Sequence, residues 1–279
     1  MTRLHLILPA ALLVMACGDN QTHTDDRPGY GEGGSAPLSC LPNLDGQIDA
    51  SELEAALGVS VSYLVSPSGK ETPVDTEGAV DANGKRIWDW SIDLATDQAI
   101  NLSASELGDK WYQGSFPAGQ FVSAVDAGKK LEGVYAKDDE AFYLLGIASA
   151  EEAPAEGKTL LVYTSPIALY RFPIQPGIDW VSTGEIENGL IRGLPYAGKD
   201  IYEVAVDASG ELVLPAYTFT QVHRVRTKVV LSPAVGDSTF TRQTSFFFEC
   251  FGEVGRATSL PDELNENFTT AAEVRRLGQ

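Results

Sequence analysis

A chain of 279 residues, 43% apolar and 21% charged, has room for one or two globular domains. Its 39 acidic residues against 20 basic ones give a formal net charge of −19. That balance excludes a nucleic-acid binder, which gains affinity by releasing counterions where Lys and Arg cluster. It equally disfavours adsorption onto anionic lipid head groups. Three Cys and three His leave little material for a Cys/His metal cluster.

Residues 1–16 read as a secretory signal peptide: Arg3 precedes an apolar run, Leu6 to Met15. Ten residues at about 1.5 Å each span about 15 Å, half of a ~30 Å bilayer core, which is too short for a transmembrane helix. Val14-Met15-Ala16-Cys17 resembles a bacterial lipobox. The resemblance implies cleavage before Cys17, a diacylglycerol on its thiol and an acyl chain such as palmitate on its amine. The alternative is a free Cys beside an ordinary cleavage site. Gly18 stands where an inner-membrane retention signal would place Asp, so the expected location is the outer membrane, on its periplasmic face or at the cell surface; Asp19 counts slightly against it. An acyl anchor needs no basic residues, since each buried CH₂ contributes about 0.8 kcal/mol. Residues 17–39 then form the lipidated Cys and an acidic, Gly-rich tether that includes His23 and reaches about 23–28 Å.

Residues 40–279 read as one antiparallel β domain, with a sub-boundary at 150–158 (Ala150 to Lys158) as the alternative. Alternating apolar residues mark strands over Val59–Ser66, Lys85–Ile92, Lys110–Ser115, Leu131–Ala136, Ala141–Ala148, Thr159–Tyr163, Ile167–Phe172 and Ile178–Ile186. Tyr217–Leu231 and Thr239–Thr258 are too long to stay flat, so bends are expected, with Gly252 and Gly255 as kink sites. Two segments, Val80 to Lys85 and Val206 to Glu211, set Asp three residues before Gly and read as hairpin turns. Only Ala50–Leu57 reads as a helix, and Thr269–Leu277 is ambiguous. The expected fold is mainly β: a single antiparallel, strongly curved sheet, half-barrel or open barrel/sandwich, with one short N-terminal helix.

Outside the cytoplasm the two remaining thiols, Cys40 and Cys250, are expected to pair, tying the domain start to the strand carrying Phe246 and Phe248. Between them, Asn43-Leu44-Asp45-Gly46-Gln47-Ile48-Asp49-Ala50-Ser51-Glu52 resembles the second half of an EF-hand loop. By position Asn43, Asp45, Asp49 and Glu52 offer side-chain oxygens and Gln47 its carbonyl to a weakly held Ca²⁺. Leu41 at the first ligand position and the absence of an incoming helix depart from that pattern. An Asp-Gly turn followed by a capping box is the other reading. No other cofactor is indicated.

Glu156-Gly157-Lys158-Thr159 echoes the end of a phosphate-binding loop, but Glu152 replaces its first Gly. His223 has no nucleophile or metal-ligand motif around it and reads as structural, sharing a strand face with Phe219 and Val225. Trp88 and Trp90 share one strand face: exposed they would stack on a ligand such as a sugar, buried they are core. Arg224, Arg226 and Lys228 make a basic stripe, read as a face neutralised by acidic neighbours or as a docking patch.

Phe172-Pro173-Ile174-Gln175-Pro176-Gly177-Ile178-Asp179-Trp180 resembles an element of uncharacterised secreted bacterial β proteins. The Cys-Gly-Asp start, the tether and the Ala271-Ala272-Glu273-Val274-Arg275-Arg276 tail resemble uncharacterised envelope lipoproteins of myxobacterial type. That resemblance implies no catalytic residue. The expected function is a non-catalytic, lipid-anchored envelope lipoprotein whose β domain binds a protein or glycan partner. The alternative is a carrier of lipid or another hydrophobic ligand, which at fold level resembles periplasmic half-barrel carriers. A hydrolase is a distant third. The partners expected are the membrane, through Cys17, and an envelope protein, glycan or lipid, with no nucleic acid.

Overall fold

The structure, a computed structural model, describes residues 40–67, 69–92 and 94–278, so the expectations for the signal peptide, Cys17 and the tether lie outside the described residues. In chain order the strands are β1 (Val61–Val65), β2 (Thr72–Pro73), β3 (Ala79–Val80), β4 (Arg86–Asp89), β5 (Gln98–Leu102), β6 (Ser105–Glu106), β7 (Phe121–Ala124) and β8 (Leu131–Lys137). They continue as β9 (Ala141–Ser149), β10 (Leu160–Arg171), β11 (Ile178–Ile191), β12 (Leu194–Val213), β13 (Thr218–Pro233), β14 (Thr239–Phe248), β15 (Gly252–Ser259) and β16 (Thr270–Leu277). All belong to one sheet. From β6 to β16 each strand pairs antiparallel with the next; β1 then adds to β16, and β5 to β1.

The two ends of this sheet, β5 and β6, are separated in the chain only by Ser103 and Ala104. Three Cα steps reach at most about 11 Å, so the sheet must curl until its edges nearly meet. The edges do not pair with each other, and the sheet stays open; Leu57 instead bridges Ala104, and the Gly58 N–H donates to the Ala104 carbonyl at 2.8 Å. The curl also shows across the interior. Tyr170 of β10 and Phe247 of β14 sit four strands apart, about 19 Å along a flat sheet, yet their ring centroids are 4.5 Å apart.

The long strands accommodate this curvature through irregular register. β12 shifts between Val206 and Ala208 and again between Gly210 and Leu212. The hairpin expected at Val206–Glu211 therefore does not form, and β12 runs straight through it. Asp207 caps no turn there; its carboxylate takes Arg224 and Arg226 instead. Gly210 serves close approach, because a Cβ there would lie 2.3 Å from the Arg86 carbonyl of β4, which pairs parallel to β12. The Val80–Lys85 hairpin does form: Asp81 Oδ1 accepts the N–H groups of Asn83 and Lys85, both at 2.8 Å.

Other expectations shift locally. The helix over Ala50–Leu57 shortens to one 3₁₀ turn, Ala50–Glu52, since the following residues leave it to bridge the sheet edge. Lys110–Ser115 is no strand but ends in a 3₁₀ turn, Gln113–Ser115, packed over the outside of the sheet by Tyr112 and Phe116. The ambiguous tail is β16, held between β15 and β1. Thr159–Tyr163 and Ile167–Phe172 merge into β10 through a register shift, and Thr239–Thr258 divides into β14 and β15 at a turn containing Cys250. Residues 150–158 are the β9–β10 connection within a single compact unit, Cys40–Gln279.

Each central strand thus has an inner and an outer face. Outside, Trp88 of β4 and Trp90 just after it pack with Phe246, Phe248 and Val254. Inside, His223, Val225 and Phe247 align across β13 and β14.

Candidate functional site

The inner face is not filled. A cavity of about 430 Å³ lies within the curl, lined by Phe121, Tyr135, Phe142, Tyr170 and Phe247 on one side and by Tyr63, Arg256 and Arg275 on the other. Phe121 stacks on Tyr135, Phe142 touches both, Tyr170 touches Phe142, and Phe247 ends the row. Single aromatics from β7, β8, β9, β10 and β14 thereby make one apolar wall, because strand alternation puts each of them inward. The segment Leu53–Val59 and the link Leu102–Ala104 also line the cavity and border the seam between the sheet edges.

The opposite wall is charged. Arg256 of β15 and Arg275 of β16 are register partners, so two like charges stand directly opposite on one face, an arrangement that destabilises a sheet unless it is compensated. Glu253 Oε1 lies 3.5 Å from Arg256 Nε, and its Oε2 accepts the Ser245 hydroxyl at 2.9 Å. Arg275 pairs with Glu273 at 3.0 Å and stands over the Tyr63 ring at 5.9 Å. Burial alone would depress the Arg256 pKa; Glu253, Tyr170, Glu273 and Tyr135 outweigh it and raise the value, keeping the guanidinium charged.

Donors nonetheless exceed acceptors there. The Nε groups of both arginines are buried without a hydrogen-bond partner, and no hydrogen bond among the described residues uses the terminal nitrogens of Arg256. Burial, above all, pushes the Tyr63 and Tyr135 phenols up to about 12 and raises Tyr170 and Tyr202 as well, so these hydroxyls stay protonated at neutral pH. The outcome is an aromatic cavity with phenols on both walls and guanidinium donors on one. Its volume falls in the range of small-molecule sites, roughly 300–1,000 Å³.

The N-terminal loop crosses one end of the interior. Cys40 and Cys250 form the expected disulfide, with Cα atoms 5.5 Å apart. The buried Glu249 carboxylate accepts the N–H groups of Asn43 and Leu44 at 2.7 and 2.8 Å. The EF-hand-like oxygens are turned to the loop's own backbone: Asn43 Oδ1 accepts Asp45 N–H, Asp45 Oδ1 accepts Gln47 N–H, and Glu52 accepts Asp49 N–H and the Asn43 amide. Asp45 and Asn43 make Asx turns and Glu52 the returning arm of a capping box. Among the described residues no group of three or more His, Cys, Asp or Glu side chains is placed to hold a metal ion. His223 is fully buried beside Glu249 and Asp45 with both ring nitrogens unpartnered, and burial lowers its pKa. Phe219 is on the opposite face from it, because β13 gains a residue between Phe219 and Val222 relative to β12.

Trp88 and Trp90 are core, 0% and 5% exposed, and donate to the carbonyls of Glu77 and Asp75. Trp90 also lines a second concavity of about 470 Å³ on the outer face, with Val74, Ile92 and Val274. The basic stripe is ion-paired: Arg224 and Arg226 with Asp207, Lys228 with Glu203. Sequence reading misses the Arg256–Arg275 wall. The available signal was charged residues spaced through two strands with buried alternation, and the pairing of those strands lies beyond sequence pattern.

The chain matches no family model, no curated protein and no solved structure.

Proposed function

We propose that this is a non-catalytic binding protein whose curled β domain holds a small amphiphilic ligand in its interior, acting as the carrier portion of a lipid-anchored envelope lipoprotein. The observation that carries the reading is the open concavity of about 430 Å³ on the inner face, with an aromatic wall facing a guanidinium wall. Sheet interiors are normally packed with side chains, and a cavity with unused donors is stable only if water or a ligand occupies it. Partner or glycan binding at the outer surface has less support: the tryptophans that would stack on sugar are core, and the basic stripe is neutralised within the chain. Attachment through Cys17 at the outer membrane belongs to the same proposal and rests on the lipobox resemblance.

Native mass spectrometry of protein purified from its own envelope tests the reading. The expected spectrum shows a reproducible mass beyond protein, acyl anchor and one disulfide, removed by organic solvent. A mass accounted for by those three alone overturns it.

A further inference from the structure

Resting on that reading, we infer that the cavity selects ligands with an anionic oxygen head group, carboxylate or phosphate, bound by Arg256 against an aromatic-walled apolar compartment. Three observations converge on this head group. First, Arg256 and Arg275 are cross-strand partners on the inner face, a like-charge pair that local sheet energetics oppose. Such violations are expected at functional or strained sites. Second, a guanidinium carries five donors in a planar fork, and Arg256 uses none in a described hydrogen bond; its one ion-pair contact, to Glu253, is 3.5 Å long. Third, Tyr135 and Tyr170 line the same cavity from the facing wall and make no described side-chain hydrogen bond, so phenolic groups stand across it from the guanidinium.

A ligand acceptor with two or more oxygens would satisfy these donors together. Its apolar body would lie against Phe121, Phe142, Leu169 and Phe247. Cationic heads are disfavoured because they would meet Arg256 and Arg275 in a medium where like charges are poorly screened. Glu253 sets the strength of the site: it already draws on Arg256, so an incoming anion competes with it.

The test compares dodecanoate, dodecyl phosphate, dodecanol and dodecylamine, which share one tail and differ in head, by calorimetric titration. The protein is the full secreted chain with Cys17→Ser, so that no acyl anchor competes, stripped of bound ligand by solvent. At least one anionic amphiphile should bind about tenfold or more tighter than dodecanol, with dodecylamine weakest. Carboxylate or phosphate preference then identifies the head. Arg256→Gln should abolish the anion preference while leaving dodecanol affinity within about twofold, and Glu253→Gln should strengthen anion binding. The parent's own acid-to-alcohol ratio needs no variant, so misfolding of Arg256→Gln does not blunt the test. Equal affinity for all four heads overturns the inference and leaves the cavity reading standing; absence of binding by any of them overturns both.

Discussion

Arg275 and Arg276 are neighbours in one strand, both about 5% exposed, and they lead opposite lives. Arg276 points outward, where the chain itself finishes the job: it donates to the carbonyls of Trp90, at 2.9 Å, and Ile92, and its guanidinium meets Asp97. Arg275 points inward to Arg256, a cavity and a single carboxylate. On the outer face the residues after β4 supply the acceptors of Arg276, the Trp90 and Ile92 carbonyls and the Asp97 carboxylate. On the inner face the cavity beside Arg256 and Arg275 is bordered by the edge residues Leu53 to Ala56 and Val59. The contrast separates an arginine whose terminal nitrogens the chain itself takes up from an inner pair in which those of Arg256 enter no described hydrogen bond, and the proposed anion binding rests on that difference.

The outer face should dominate stability. Trp88→Ala removes a fully buried ring that packs on Phe246 at 4.7 Å and beneath Arg224, and should cost about 3–5 kcal/mol in chemical unfolding. Arg276→Gln should cost about 3 kcal/mol, since it strands the Asp97 carboxylate, 2% exposed, without a countercharge. Arg256→Gln should cost only about 1 kcal/mol, because relief of the like-charge pairing with Arg275 offsets loss of the 3.5 Å contact to Glu253. If Arg256→Gln were as damaging as Arg276→Gln, the inner arginine would be a framework residue and the contrast would collapse.

Strands such as β8, β9 and β11 and the disulfide were legible in the sequence, and the inner site was not. Alternation set Phe246 and Phe248 on one face, and the Asp81–Gly84 spacing gave a true hairpin, because both depend on neighbours in the chain. The same spacing at Asp207 and Gly210 misled, since the turn chemistry there was overridden by Arg224 and by β4 lying alongside. Whether Arg256 faces Arg275 depends on register between strands, and a one-residue slip would turn either arginine to the other face. The tightness of the curl depends on Ser103 and Ala104 linking its two edges, which no local pattern announces.

The weakest effect expected is also a contrast between faces, read through pH. His223 sits on the inner face at the loop end, with Glu249 and Asp45 the charged groups acting on it. Burial lowers its pKa, and those two carboxylates only partly oppose the shift. The unfolded chain, with an ordinary value near 6.5, therefore binds a proton more readily than the native state as pH falls below about 7. Stability should drop on acidification through that window, with a slope from this group of at most about 1.4 kcal/mol per pH unit. Glu52 in the same loop titrates the other way: burial raises its pKa, so its native carboxyl is favoured by acid, at pH values nearer 4.5. The parent profile mixes the two, and His223→Leu separates them. Because both ring nitrogens lack partners, the apolar replacement should be close to neutral at pH 8 and stabilising relative to the parent at pH 5.5. Parallel melting-temperature profiles for the two proteins from pH 8 to 5.5 would mean that the buried imidazole takes up its proton without penalty, and that the loop end of the interior is as open to solvent as the cavity beside it.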